Sequence, residues 1–138
     1  MKKLKTYFKS FFWSVKLFWK KTDVSRKANI STKAEIIANK QSGTLKIGDY
    51  STLSDRCRVQ VIDGGEISIG QYSFINKGCF IISRIGIKIG DRCTFGPNVM
   101  IYDHNHGIKK NQRNNYRCNK IEIGDDVWIG ANVIILKG

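Results

Sequence analysis

A large aliphatic residue recurs every six positions over most of this 138-residue chain, and no other feature of the sequence restricts its fold as strongly. Ile47, Leu53 and Val59 open three successive hexamers; Ile69, Ile75 and Ile81, then Ile89, Phe95 and Ile101, then Ile123, Ile129 and Ile135 repeat the triplet. Glycine often follows the aliphatic residue, then two polar residues, and the fifth position is small: Ser51, Cys57, Ser73, Cys79, Cys93, Val99, Val127 and Val133. A single hexamer cannot bury its own aliphatic side chain, whereas coils of three hexamers stacked on one another bury a continuous column. The pattern predicts a triangular parallel β-helix of about four coils over residues 45–138. The small fifth residue faces inward beside the aliphatic one without overfilling a narrow interior.

The spacing between blocks locates the loops. Equivalent positions Ile47, Ile69, Ile89 and Ile123 lie 22, 20 and 34 residues apart. A bare coil of three hexamers therefore carries small corner insertions near Gly64–Ser68 and near Ile87, then a large one at 107–119 that is rich in Lys, Arg and Asn, as a solvated outer loop should be. Pro97 is the single proline, which suits strands and tight corners.

Charge adds a second element. Twenty-four Lys and Arg against eleven Asp and Glu give a formal charge of +13, which favours an anionic partner. Residues 1–22 hold seven lysines, no acid and seven aromatic residues. Leu4, Phe8, Phe11, Phe12, Val15, Phe18 and Trp19 recur at three- and four-residue steps, with Lys2, Lys5, Lys9, Lys16 and Lys20 largely on the other side, so an amphipathic helix is expected. Lys9 and Lys16 interrupt the apolar run, making it too short and too charged to span a bilayer, and no secretory cleavage site follows. The expected role is binding at an anionic membrane surface, each lysine adding on the order of 1 kcal/mol; docking on the chain's own domain or on a neighbouring subunit is the alternative. No nucleic-acid motif accompanies the charge, so no nucleic-acid partner is expected. Residues 23–44 read as a linker and N-terminal cap.

Cys57, Cys79 and Cys93 fall at the small inward position and read as core residues, while Cys118, at the end of the loop, has no assigned role. No zinc-ligand spacing and no secretory signal are present, so a reducing compartment is expected.

Both histidines, His104 and His106, lie in the stretch NVMIYDHNHGIKKNQRNNYRCNKIEIG at the mouth of the loop. By strand parity from inward Ile101, both point outward. An imidazole with an ordinary pKa near 6.5 can take the proton of a hydroxyl as its oxygen attacks a carbonyl.

The hexamers, FGPNVMIYDHNHG, the long loop and IEIGDDVWIGANVIILKG together resemble the hexapeptide-repeat acyltransferases, in particular the maltose, galactoside and polysaccharide O-acetyltransferase branch. The resemblance implies a left-handed β-helix, assembled as a homotrimer with sites between subunits, acetyl-CoA as donor and a sugar hydroxyl as acceptor. Residue by residue it implies His106 as the general base, Asn98 and Trp128 in the acceptor and acetyl pocket, and Ala131 with Trp128 at the coenzyme. His104 is a neighbour that either supports the base from behind or contacts the acceptor in the substrate pocket, and Asp103, in the same pocket, either orients a ring or merely turns the chain. No covalent acyl-enzyme is needed, so Cys118 need not be a nucleophile.

With the basic leader, the expected function is O-acetylation of a cell-surface polysaccharide or its precursor, in the cytoplasm and peripheral to the inner face of the cell membrane. A drug-modifying acetyltransferase shares coil, histidine and donor and is a second reading. The sequence stops at Gly138 within a hexamer row, where this branch continues with at least one more coil, so a C-terminally incomplete, weakly active or inactive scaffold is a third. A three-histidine zinc site of the γ-carbonic-anhydrase kind needs more histidines than the two present, so no metal is expected.

Overall fold

The computed structural model describes residues 22–38, 43–107 and 115–138. The expected helix of residues 1–22 lies, except for Thr22, outside the described residues. What is described contains strands and turns and no helix.

Three five-stranded parallel sheets form the faces of a triangular solenoid. The first stacks Thr22–Val24, Gly43–Ile47, Gly65–Ile69, Ile87–Ile89 and Ile121–Ile123; the second stacks Asn29–Ile30, Thr52–Leu53, Phe74–Ile75, Thr94–Phe95 and Trp128–Ile129. The third stacks Glu35–Ile37, Arg58–Val61, Phe80–Ser83, Met100–Tyr102 and Ile134–Leu136. Every neighbouring pair runs parallel because the chain meets the same face again only after a full turn. The register is the one the hexamers predict: Ile47 pairs with Ile69, Ile69 with Ile89 and Ile89 with Ile123.

Residues 45–138 supply the four coils expected of them, and the chain adds one rung before them. Thr22–Val24, Asn29–Ile30 and Glu35–Ile37 pair with the rung that follows, although 23–44 read as linker and cap. Val24, Ile30 and Ile36 keep the six-residue step, with Ala28 and Ala34 buried at the small position. Ser25 and Ser31 stand where later hexamers carry glycine or another turn residue, which hides the repeat from the eye.

The core is the column the repeat builds: Ile30, Leu53, Ile75 and Phe95 on the second face, and Ile36, Val59, Ile81 and Ile101 on the third, are buried. Burying an aliphatic side chain contributes roughly 1.5–3 kcal/mol, so stacking is the main source of stability. The fifth position does a second job. Ser51 Oγ donates to the Gly70 carbonyl at 2.6 Å and Ser73 Oγ to that of Gly90 at 2.9 Å, while Cys93 Sγ reaches the Gly124 carbonyl at 3.0 Å. A small polar side chain thus satisfies a carbonyl of the next rung that the ladder leaves open at the corner. Cys57 and Cys79 behave alike toward Asn76 and Gly96 at 2.9 and 3.3 Å. The hydrogen bond with Cys57, followed by burial, pushes the Cys79 thiol up, so it stays protonated and inert.

Corners close with the fourth residue of a hexamer in the left-handed region: Tyr50, Arg56, Tyr72, Arg92, Asn98, Asp126 and Asn132 have φ between 55° and 59°. The charged corners are stapled vertically, Arg92 Nε and Nη2 donating to the two carboxylate oxygens of Asp126 at 2.6 and 2.8 Å. This forked pair is exposed and guides the stacking of rungs more than it stabilises them.

Candidate active site

The third corner of the fourth rung departs from the triangular path. After Met100–Tyr102 the chain bends at Asp103 and continues as His104–His106, which pairs antiparallel with Tyr116–Cys118. The segment expected as a loop at 107–119 therefore begins and ends as a hairpin, closed at its neck by the Gly107 amide on the Asn115 carbonyl at 2.8 Å. Alternation from Ile101 puts residue 103 inside and residues 104 and 106 outside.

Asp103 is accordingly 0% exposed, and it sits in a ring of donors. Ser83 Oγ donates to Oδ2 at 2.7 Å; the amides of Ile85 and Gly86 donate to the same oxygen at 2.8 Å, and that of Arg84 donates to Oδ1 at 2.9 Å. Burial alone would push this carboxyl up, but the hydrogen bonds from the backbone of Arg84, Ile85 and Gly86 and from His104 together outweigh it and hold it below its ordinary value. Asp103 is therefore ionised at neutral pH. Its fifth partner is His104 Nδ1 at 2.9 Å, and an acceptor-only carboxylate requires that nitrogen to carry the proton. The tautomer of His104 is thereby fixed, with Nε2 holding the lone pair. Asp103 is thus a buried carboxylate with five donors from its own chain, which orients His104 and pins the 83–86 corner.

His104 is half-buried, its ring edge-on to Tyr102 at 6.0 Å and to Tyr116 at 5.7 Å between centroids. His106, two residues further out, is exposed and packs on Tyr116 at 4.7 Å. Cys118 is half-buried opposite His104 in the hairpin.

The other residues singled out from sequence gather elsewhere. Asn98 is an exposed corner residue with φ 59°, its amide nitrogen donating to Asn132 Oδ1 at 3.2 Å. Trp128 stands outward on the second face, 76% exposed, and Ala131 lies exposed just past it. Asn98 stands at the corner that opens the third face and the histidines leave the corner that closes it, so the strand Met100–Tyr102 lies between them. One chain does not bring Asn98, Trp128 and Ala131 together with the histidines.

Ala131 is positioned by Gly96 of the rung before. A Cβ at Gly96 would stand 2.5 Å from the Ala131 nitrogen and 2.8 Å from its Cα, a contact that only movement of the backbone relieves. Gly96→Ala is expected to cost about 1–3 kcal/mol, read as a lower urea midpoint; an unchanged midpoint would show that this rung gives way freely.

Two residues around the histidines escaped the sequence reading, Arg84 and Tyr116. Arg84 follows a strand in an insertion otherwise read only as a corner, and Tyr116 lies in what read as loop. Their contact joins positions distant in sequence, and no local pattern signals it. Asp103 was readable in principle, because parity from Ile101 points it inward. Among the described residues no group of three His, Cys, Asp or Glu side chains is placed to hold a metal ion.

Parallel sheets closed by left-handed corners, with a histidine-bearing hairpin leaving one of them, define the class of hexapeptide-repeat solenoids. A family profile described as the hexapeptide repeat of succinyl-transferase matches residues 66–103 and 120–138. Nodulation protein L of Rhizobium leguminosarum bv. viciae is 38% identical over 77 residues, covering 54% of this chain and 40% of that protein. The galactoside O-acetyltransferase of Escherichia coli K12 is 32% identical over 77 residues, covering 54% and 38% respectively. A putative lipopolysaccharide biosynthesis O-acetyl transferase, WbbJ, of the same organism is 26% identical over 110 residues, covering 72% and 56%. The chain carries the hexapeptide repeat and is similar to O-acetyltransferases that share it. It spans about 40% of the length of the nodulation proteins L it matches.

Proposed function

We propose that this chain carries an acetyl-CoA-dependent O-acetyltransferase activity directed at a sugar hydroxyl of a cell-surface polysaccharide or its precursor. The observation that carries the reading is the hairpin: it leaves the solenoid where the rung register steps from Ile89 to Ile123 and presents an exposed imidazole, His106, beside a half-buried, oriented one, His104. The names of the relatives, a galactoside O-acetyltransferase and a lipopolysaccharide O-acetyl transferase among them, support the acceptor class.

In this reading the sugar hydroxyl gives its proton to His106 as its oxygen attacks the thioester carbonyl carbon of acetyl-CoA. The tetrahedral intermediate collapses by breaking the carbon–sulfur bond, and the imidazolium returns the proton to the departing thiolate. A backbone N–H at Ala131 is suited to the developing oxyanion or the coenzyme arm, with Trp128 as a wall. His104 Nε2, a fixed acceptor, suits a neighbouring sugar hydroxyl.

Because Asn98, Trp128 and Ala131 stand a face away from the histidines, a complete site needs a second copy of the chain. The outward side of the third face suits that contact: Phe80, Ile82, Met100 and Tyr102 are half-buried and Ile134 and Leu136 more exposed, an apolar surface of the kind subunits cover. A homotrimer is the proposed assembly.

The test is transfer of labelled acetyl from acetyl-CoA to a panel of sugars and aminated drugs by the protein in its assembled form. Transfer to glycans and not to drugs is expected. Transfer to drugs alone would move the chain to the xenobiotic class, and transfer to nothing would leave the scaffold reading. Residues 1–22 are proposed to hold the enzyme on the inner face of the cell membrane. Flotation with anionic vesicles should fall at least tenfold when they are deleted, since seven lysines at about 1 kcal/mol each exceed that threshold. Equal flotation with and without them rejects membrane placement.

A further inference from the structure

Tyr116 is touched by three side chains from two separate stretches of the chain. The guanidinium carbon of Arg84 lies 3.4 Å from its ring centroid, and the imidazoles of His106 and His104 lie at 4.7 and 5.7 Å. Arg84 comes from the corner of the third rung, is only 17% exposed, and is ion-paired with Asp63 of the second. Tyr116 is the cross-strand partner of His106, so the two rings share one face of the hairpin. The backbone amide of Arg84 is at the same time one of the donors that hold Asp103. A single corner thus grips His104 through Asp103 and grips Tyr116 through its side chain.

We propose that Tyr116 is a positioning residue for both imidazoles, and that Arg84, anchored by Asp63, holds the tyrosine ring against the solenoid. The inference deepens the proposed function and rests on its reading of His106 as the base. A two-stranded ribbon standing off a solenoid has little packing of its own to fix a side chain near its tip. The Asp63–Arg84–Tyr116 line supplies it, because a guanidinium on an aromatic face is favourable where water is largely excluded, and the ring then limits the rotamers open to the histidines. Misplacing a catalytic group by about 1 Å can cost on the order of a hundredfold in rate. The ring, and not the phenol hydroxyl, is the part that matters.

The chain has two histidines, so its imidazole C–H spectrum contains two spin systems, assignable with His104→Gln and His106→Gln. Chemical shifts of both should carry the ring current of Tyr116. In Tyr116→Ala both should move toward free-imidazole positions; in Tyr116→Phe they should stay, and in Arg84→Ala they should move the same way by less. Tyr116→Leu, which keeps bulk without a ring, replaces alanine if that variant unfolds. In turnover, Tyr116→Ala should lower kcat by about 10–100-fold with the KM for acetyl-CoA unchanged and Tyr116→Phe restoring it. Adding Tyr116→Ala to His106→Ala should lower kcat by less than Tyr116→Ala does in the wild type, since part of the tyrosine's effect passes through that histidine. Imidazole shifts that do not move in Tyr116→Ala or Tyr116→Leu overturn the proposal. Moved shifts with undiminished turnover in His106→Ala leave the positioning role intact and overturn the base assignment instead.

Discussion

His106→Ala lowers acetyl transfer to a sugar by about 10²–10⁴-fold, the usual worth of general-base assistance, and leaves the fold intact. The side chain is exposed near the end of the hairpin, where a substitution to alanine changes stability by about 0.5 kcal/mol at most. His104→Ala behaves differently. It removes a half-buried ring and one of the five donors to Asp103, so rate and thermal midpoint fall together. The pair of variants separates the two imidazoles: kcat measured beside the unfolding midpoint should show loss of rate alone for His106 and loss of both for His104. Unchanged turnover in His106→Ala, with a large rate loss in His104→Ala, would sink the assignment and transfer the proton-accepting role to His104, whose tautomer the buried carboxylate already fixes.

The largest effect on stability is expected at Asp103. Asp103→Ala strands the Ser83 hydroxyl and the amides of Arg84, Ile85 and Gly86 without their acceptor. Each buried unsatisfied group costs about 1–3 kcal/mol, so even after relaxation the loss should reach about 3 kcal/mol or more. Asp103→Asn is no rescue, because its amide nitrogen turns donors toward donors. The same residue predicts a pH dependence. Its carboxyl titrates below the ordinary 3.8 when folded, so between the two values the unfolded chain binds the proton and the folded chain does not. The stabilisation is complete above that ordinary value and is lost as the pH falls through the folded one. Urea midpoints from pH 7 downward should therefore drop in the acid range for the wild type, with a shallower fall in Asp103→Asn. Parallel curves would show that other carboxylates govern the acid limb.

The parts of the fold that depend on repetition were readable in the sequence, and the parts that depend on single contacts were not. The step from Ile89 to Ile123 across a long insertion is visible because a solenoid must return to register whatever leaves it. The first rung was missed because Ala28 and Ala34 are ordinary residues and the glycine that marks later hexamers is absent, although the aliphatic period is intact. At the site, parity placed both histidines outward, and the hairpin agrees. It did not separate their roles, since that difference arises from Asp103 and a corner some twenty residues earlier. Nor does sequence pair Arg84 with Tyr116, because that contact exists only once the insertion doubles back on the solenoid.

The hairpin also bears on how such a protein can change. It leaves the frame after Asp103 and rejoins it where the Asn119 amide meets the Asp103 carbonyl and the Ile121 amide meets that of Gly86, each at 3.0 Å. Those two clasps belong to the rungs and owe nothing to what lies between Gly107 and Asn115. The ladder therefore keeps its count by bonds of its own, and a change in the length of chain that joins Gly107 to Asn115 leaves both of them in place.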